Sequence, residues 1–403
     1  MHNIKSIFDF NFICVIIQSL HTTYSLYMLR SRQDLEQLEA EKLAPYAVKS
    51  ADSVGRLVPE EEDNSDRLPF QRDVDKIIWS KSFRRLGGKT QVKEEGDRDD
   101  HDRTRMPHEL EVVFIAQSIA RRLGLNEDLT TAIALGHDIG HTPFGHAGEQ
   151  ELNRIMKEKG HKEGFEHNRH SLYTVDELEK LNLTNEVREG LDKHKSSYDQ
   201  AGRKVKTSHL EAQVVNRADE IAYTGHDIDD GLRSGIISME KIKETKLWQI
   251  AAENIAKKYP SIKEDDQNYI QQCVGEIIGY LISDICVNTD AKLQENNIGS
   301  VEDVRNSKDE LVQFSAEAKS HLDEMGEFLR KNFYQTEAIK TSNEHGQKII
   351  RDLFEIYYND PATLPEEHEQ LVKDGKDKAI VVKNYIAGMT DKFAKEEWAR
   401  LKN

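Results

Sequence analysis

The stretch Ala132-Ile-Ala-Leu-Gly-His-Asp-Ile-Gly-His-Thr-Pro-Phe-Gly-His146 constrains this chain more than any other. It packs three histidines and one aspartate into the ten residues from His137 to His146. The apolar run Ile133-Ala134-Leu135 leads in, so a helix delivers His137-Asp138, and Gly140 and Pro143 then break it. Adjacent helical residues point ~100° apart, so the pair can still close on one ion from a shared edge. Imidazole nitrogen plus carboxylate oxygen suits a divalent transition metal or magnesium. Two ligands do not make a site. Other segments must supply the rest.

Candidates lie on both sides. His108 stands in Arg103-Thr-Arg-Met-Pro-His-Glu-Leu110, at the start of a helical run. Pro107 suits a first turn there, where its missing N–H costs nothing. Asp219 stands in Leu210-Glu-Ala-Gln-Val-Val-Asn-Arg-Ala-Asp-Glu-Ile-Ala-Tyr223, a strongly helical stretch. His108, His137, Asp138 and Asp219 form the expected metal set. Two nitrogen and two oxygen ligands leave room for water and a phosphate oxygen, the pattern of a catalytic site. Mg, Mn, Fe, Ni and Co all fit this donor set.

This H…HD…D pattern resembles the HD-domain phosphohydrolases. The likeness narrows with Pro69-Phe-Gln-Arg-Asp73, Phe83-Arg-Arg-Leu-Gly-Gly-Lys-Thr-Gln-Val92, Arg103-Thr-Arg105, His137-Asp-Ile-Gly-His-Thr-Pro-Phe-Gly-His-Ala-Gly-Glu149 and Ala218-Asp-Glu-Ile-Ala-Tyr223. These look like the dGTP triphosphohydrolase (dGTPase) family, over a span from about Met28 to the C-terminus. Two departures stand out. Met106-Pro-His-Glu109 replaces a common Leu-Thr-His-Ser. In Asn384-Tyr-Ile-Ala-Gly-Met-Thr-Asp-Lys392, Asn384 and Lys392 replace a usual Asp and Arg.

The 403 residues can bury a large core in one to three domains. A formal net charge of −17 argues against a chain-wide basic surface for duplex DNA, but not against a local phosphate pocket. Nucleic acid is therefore not indicated. Cys14, Cys273 and Cys286 show no CxxC spacing and read as free thiols of a reducing cytoplasm. No apolar run approaches the ~18 residues of a membrane span, so no membrane partner is expected.

Residues 1–27 differ from the rest. Met28-Leu-Arg-Ser-Arg-Gln-Asp-Leu-Glu36 resembles the usual beginning of the family's bacterial members, so 1–27 read as an upstream extension without function. Residues 28–68 predict a Glu-rich helix, Arg32 to Glu41, and an acidic loop, Pro59 to Asp66. Residues 69–235 predict the HD core. Its helices run from Pro69 to Leu86 (Val74, Ile77, Ile78, Trp79 and Phe83 on one broad face), from Pro107 to Leu123 (Leu110, Val113, Ala116, Ala120 and Leu123 inward), from the cap Asn126, from Phe144 to Glu158, from Gly164, from Leu183 to Lys195, and from Leu210 to Ile228. Residues 236–403 predict a C-terminal helical region, including Ile270–Cys286 and Asp309–Phe333. No alternating strand pattern of any length appears. The expected fold is all-α, with at most a minor hairpin near Lys89–Glu95.

Further site residues follow from spacing and resemblance. His146 and Glu149, at i and i+3 on a helix, can touch; a carboxylate beside an imidazole favours the protonated acid. The resemblance implicates this pair in catalysis and puts His167 against the reacting phosphate; His141 completes the cluster. Arg105, one turn before His108, is the expected phosphate contact, since guanidinium forks match phosphate oxygens. Lys81 and Arg84 are weaker candidates. Arg85 and Leu86 match positions that approach the nucleoside in relatives. Asp219, Tyr223 and Asp227, at i, i+4 and i+8, line one helix face, which predicts sugar contacts beside the metal. The expected reaction is hydrolysis of dGTP or another dNTP to deoxynucleoside and triphosphate. The rivals are an HD phosphohydrolase acting on another nucleotide, and a nucleotide-sensing or single-strand-binding protein on the same fold. The resemblance also implies a homo-oligomer, in some relatives with dNTP effector sites at interfaces.

Overall fold

The structure is a computed structural model that describes residues 29–60, 66–91, 104–192, 208–266 and 268–402. The upstream segment 1–27, most of the acidic loop, and the far part of the expected hairpin lie outside the described residues. Among the described residues every regular element is a helix. Thr90, at the start of the stretch where a hairpin is expected, forms an isolated antiparallel bridge with Thr104, beyond that stretch. The fold is all-α.

The helices Arg105–Leu123, Glu127–Gly136 and Leu210–Arg233 form the centre, with Pro69–Ile78 and Asn185–Asp192 packed around them. Local signals set their ends. Asn126 Oδ1 accepts the Leu129 N–H at 3.1 Å and starts one helix. Gly124, at φ +68°, ends the one before it. Val112, Val113, Ala116, Ile119, Ala132, Ile133, Val214, Val215 and Ala218 are all buried in the common core. Leu110, expected inward, is 48% exposed.

Buried carboxylates strap the N-terminal segment to this core. Glu211 accepts the N–H groups of Val48 (3.0 Å) and Asn126 (3.2 Å). Glu186 accepts Val54 N–H at 2.7 Å, and Asp73 accepts Thr184 N–H at 2.9 Å while pairing with Arg56. At the buried residues Val48, Asn126 and Thr184 the carboxylate supplies the partner that the backbone donor needs away from water.

Three predicted elements come out differently. The run Pro69–Leu86 is two helices, Pro69–Ile78 and Lys81–Arg85. Ser80 Oγ accepts from Phe83 N–H at 3.0 Å, and the distant Glu179 carboxylate accepts from the Lys81 and Ser82 N–H groups. A cap supplied from elsewhere in the chain therefore outweighs local periodicity, and Trp79 turns out to 76% exposure. The expected helix Asp309–Phe333 begins only at Ala316, because Gln213 Oε1 takes the Leu311 and Val312 N–H groups at 2.8 and 3.1 Å and holds that stretch irregular. The helix expected over Ile270–Cys286 runs from Tyr269 to Glu295, and it is long and apolar enough to cross a membrane by length and composition. Its residues Cys273, Ile277, Leu281 and Ile285 pack into the main core. Cys273 and Cys286 are free, buried thiols.

The apolar packing also runs across the boundary expected at 235/236. Helices Lys246–Lys258, Tyr269–Glu295 and Ala316–Leu329 belong to the first core. Helices Glu337–Asn359, Lys378–Ala387 and Asp391–Lys402 build a second one on the outer face of Gly145–Glu158, around Leu152, Ile155, Ile349, Leu353 and Val382. The two cores are joined at Lys89 and Asp391. Lys89, 2% exposed, donates to the carbonyls of His141 and Ala387 (2.8 Å to the latter). Asp391, 0% exposed, accepts Thr90 N–H at 2.8 Å and Phe144 N–H at 3.1 Å. Asp391→Ala strands both donors and is expected to cost about 2–4 kcal/mol of stability, with Asp391→Asn intermediate, read from urea denaturation.

Candidate functional site

Two helix ends and the middle of a third helix meet at the motif. His108 lies in the first turn of Arg105–Leu123, His137-Asp138 just past the end of Glu127–Gly136, and Asp219 in the middle of Leu210–Arg233. His108 Nε2 is 3.0 Å from Asp219 Oδ1. His137 Nε2 is 3.7 Å from Asp138 Oδ1 and 3.8 Å from Asp219 Oδ1. Donor atoms of His108, His137 and Asp138 lie within 4.8 Å of one another. His137 Nδ1 is 2.6 Å from the Ala134 carbonyl, which can only accept, so Nδ1 carries a proton and Nε2 is the nitrogen that faces the two carboxylates and would ligate a cation held with them. This buried donor set fits a divalent cation.

The motif loop is pressed against its neighbour. A Cβ on Gly140 would overlap the Ser171 backbone nitrogen and the His167 carbonyl. Gly140 N–H donates to Ser171 Oγ at 2.9 Å, and Ser171 Oγ donates to the His137 carbonyl at 2.7 Å. The close approach brings the His167–Tyr173 helix, and with it His167, to the centre.

Around the ligand set is a ring of polar groups. Glu149 bridges two imidazoles, with Oε2 at 3.2 Å from His146 Nδ1 and Oε1 at 2.9 Å from His167 Nδ1. Burial opposes ionisation of Glu149, but His167 and His146 hold its carboxyl well below the usual range. His141 stacks on His167 with ring centroids 4.2 Å apart. Burial and then Arg105 hold the His141 imidazole well below its ordinary value. Arg105, 1% exposed, pairs through Nη1 with Asp138. Burial opposes the charge on Asp138, but Arg105 and His137 keep its carboxyl well below the usual range. Nε and Nη2 of Arg105 are buried and have no hydrogen-bond partner among the described residues.

A cavity of about 240 Å³ opens beside this group, lined by His146, Tyr223 and Asp227, and by Arg330, Tyr334 and Asn343 from the C-terminal half. Arg330 and Tyr334 sit on a π turn that follows Ala316–Leu329, a local irregularity common where side chains are aimed at a site. Nothing in their spacing singled them out. Arg85 and Leu86 are not among the lining residues. Arg85 and Lys81 line a separate cleft of about 910 Å³ against Asn384 and Gly388, and Leu86 is closed in the main core. Arg84 is exposed.

Two buried groups went unread in the sequence. Glu109, where the family pattern commonly has Ser, is 0% exposed, with Oε2 3.1 Å from His137 Nδ1. Burial pushes its carboxyl up to about 7, with His137 opposing. His226, 3% exposed, lies between Asp227 and His108. Burial opposes its charge, but Asp227 and Glu111 raise the imidazole to about 9. The departures at 384 and 392 lie apart from the ligands. Asn384 Nδ2 donates to Tyr173 Oη at 3.3 Å, and Lys392 faces Glu396 on the surface.

Comparison with known proteins gives two family matches. Residues 105–224 match the HD domain, and residues 312–400 match the phosphohydrolase-associated domain. The first span holds all four ligand candidates; the second holds Arg330, Tyr334 and Asp391. A deoxyguanosinetriphosphate triphosphohydrolase-like protein of Geobacter sulfurreducens is 42% identical over 384 residues, covering 92% of this chain and 97% of the relative. Proteins with the same description from Ralstonia pickettii and Leptospira interrogans are 42% and 37% identical, covering 89% and 93% of this chain and 94% and 100% of the relatives. With buried His and Asp side chains converging from three helices and this likeness along nearly its whole length, the chain belongs to the deoxyguanosinetriphosphate triphosphohydrolase-like family of HD-domain phosphohydrolases.

Proposed function

We propose that this chain hydrolyses deoxynucleoside triphosphates, dGTP first, to deoxynucleoside and triphosphate. The observation that carries the reading is Arg105: a buried guanidinium beside the ligand set with two N–H-bearing nitrogens still to be satisfied. Leaving such donors unmet costs about 1–3 kcal/mol each, and phosphate oxygens match their geometry. A divalent metal held by His108, His137, Asp138 and Asp219 would supply Lewis-acid polarisation at the α-phosphate.

The other roles belong to the chain's own residues. Nε and Nη2 of Arg105 take phosphate oxygens and offset charge as it develops there. Water attacks the α-phosphorus while the bond to the sugar 5′-oxygen breaks. His146, oriented through Nδ1 by Glu149, gives a proton to that departing oxygen. His141 and His167, stacked beside it, stay with the phosphate. The deoxyribose enters the cavity against Tyr223, whose ring leaves little room for a 2′-hydroxyl, and Asp227 accepts from the 3′-hydroxyl. The relatives' names support dGTP as the first nucleotide to try.

Incubation with dGTP followed by ion-exchange chromatography should give triphosphate and deoxyguanosine as the first products; pyrophosphate or orthophosphate appearing first rejects the reaction. His137→Ala and Asp138→Ala should each lose bound metal by elemental analysis and all measurable turnover. His146→Ala should keep its metal and lose about 10²–10⁴-fold in kcat, the usual worth of a positioned acid. Glu149→Gln should lose less. A His146→Ala enzyme as fast as wild type removes His146 as the acid.

A further inference from the structure

Outside the proposed centre, a cavity of about 420 Å³ lies between the helices His167–Tyr173 and Lys378–Ala387, walled by Met156, Phe165, Arg169, His170, Tyr173 and Lys383. No residue with a role in the proposed reaction lines it. A volume of this order holds a small organic molecule. Its charged groups are unequally matched. Glu163 and Glu166, at the rim, both face Arg169, the second at 3.9 Å. His161 faces Asp377 at 3.5 Å, and Lys162 is exposed. Lys383 has neither a carboxylate nor a hydrogen-bond partner among the described residues. Its ammonium lies 5.0 Å from the centre of the Tyr173 ring and 5.9 Å from that of Phe165.

A ring face attracts an ammonium but leaves its charge uncancelled. Burial, and then the like charge of Arg169, lower the Lys383 amine to about 8. Two donors stand beside it. His170 is 5% exposed, and its buried Nδ1 has no hydrogen-bond partner among the described residues. The His170 and Tyr173 rings are nearly parallel, with centroids 5.8 Å apart at 17°. Asn384 Nδ2 donates to Tyr173 Oη at 3.3 Å, which leaves the Tyr173 O–H to donate elsewhere. The aspartate usual in the family at position 384 would accept that O–H and place a negative charge behind the ring. Asn384 does neither. An ammonium, an imidazole nitrogen able to carry a proton and a phenol O–H therefore line one cavity. Three donors suit the three terminal oxygens of a phosphoryl group, and lysine serves such a group as a point charge. Met156 and Phe165 leave an apolar wall for the rest of a ligand.

We propose that this cavity binds the phosphate group of a small molecule, with Lys383 as its counter-charge and Tyr173 and His170 as its hydrogen-bond donors. The site does not depend on the reaction proposed above, and either can fail alone.

The test is a footprint of Lys383 on the metal-loaded full-length protein. Trace acetic anhydride acylates free amines, and peptide mass spectrometry reads Lys383 and the exposed Lys162 separately. The reaction is run at constant ionic strength with orthophosphate, tripolyphosphate, dGMP or citrate. The phosphate-bearing probes should slow acylation of Lys383 at least tenfold and leave Lys162 unchanged. Protection by orthophosphate and tripolyphosphate at lower concentration than by dGMP assigns free phosphates; the reverse order assigns a nucleotide. Asn384→Asp, which installs the residue usual in relatives, should raise the half-protecting concentration about tenfold to a hundredfold, the worth of a hydrogen bond to a charged group. Tyr173→Phe should raise it by about tenfold. Lys383 acylated equally with and without the phosphate probes overturns the inference. So does equal protection at Lys162, protection by citrate as strong as by phosphate, or a half-protecting concentration unchanged in Asn384→Asp.

Discussion

Everything in this molecule is arranged around the cost of burying charge. His108, His137, Asp138, Arg105, Glu109, His141, His167 and Asp227 are all nearly closed off from solvent. A single buried, uncompensated charge of this kind would cost several kcal/mol. The helices can pack this closely because each charge faces an opposite one or a polar partner: Arg105 on Asp138, Glu149 between His146 and His167, Asp219 against His108. A divalent cation at the centre would complete that balance, since two of the facing groups are carboxylates within reach of two imidazole nitrogens. The same network that satisfies the buried charges holds the candidate site residues in register.

The second constraint is how the C-terminal half reaches this centre. The phosphohydrolase-associated segment does not stand apart. Lys89 ties the carbonyl of His141 to that of Ala387, and Asp391 takes the N–H groups of Thr90 and Phe144. Phe144 precedes the helix that carries His146 and Glu149, and it has a left-handed backbone at φ +62°. Such a conformation is uncommon for a bulky residue and persists where surrounding contacts over-determine it. Gly346, whose added Cβ would meet the Phe144 ring, leaves space for that side chain. The far end of the chain thus positions the turn before His146 and Glu149 and also supplies Arg330 and Tyr334 to the cavity wall.

Much of the site was legible because its signals are local. Helical spacing alone puts Asp219, Tyr223 and Asp227 on one face, and the structure has Tyr223 and Asp227 lining one cavity beside it. The i, i+3 spacing of His146 and Glu149 becomes a hydrogen bond. Asn126 caps its helix as read. The misreadings share one cause. Pro69–Leu86 keeps its apolar period through Trp79, yet Glu179, almost a hundred residues away, caps a new helix there. Asp309–Leu311 looks helical in isolation, yet Gln213 claims the backbone donors that follow. In both places a distant side chain competes for backbone N–H groups, and periodicity carries no record of that competition.

From the sequence by itself came the all-helical class, the caps and breaks, and the order in which His108, His137-Asp138 and Asp219 occur along three helices, because each of these depends on neighbours within about two turns. Only the tertiary structure decided which side chains share the cavity: Arg85 faces another cleft, Leu86 is in the core, and Arg330, Tyr334 and His226 come to the site. It also decided that Glu109 sits behind His137 and that Asp391 spans the two cores. Those choices are made by shape and charge complementarity between surfaces far apart in the chain, where a residue's partner is determined by how helices cross and not by what stands next to it.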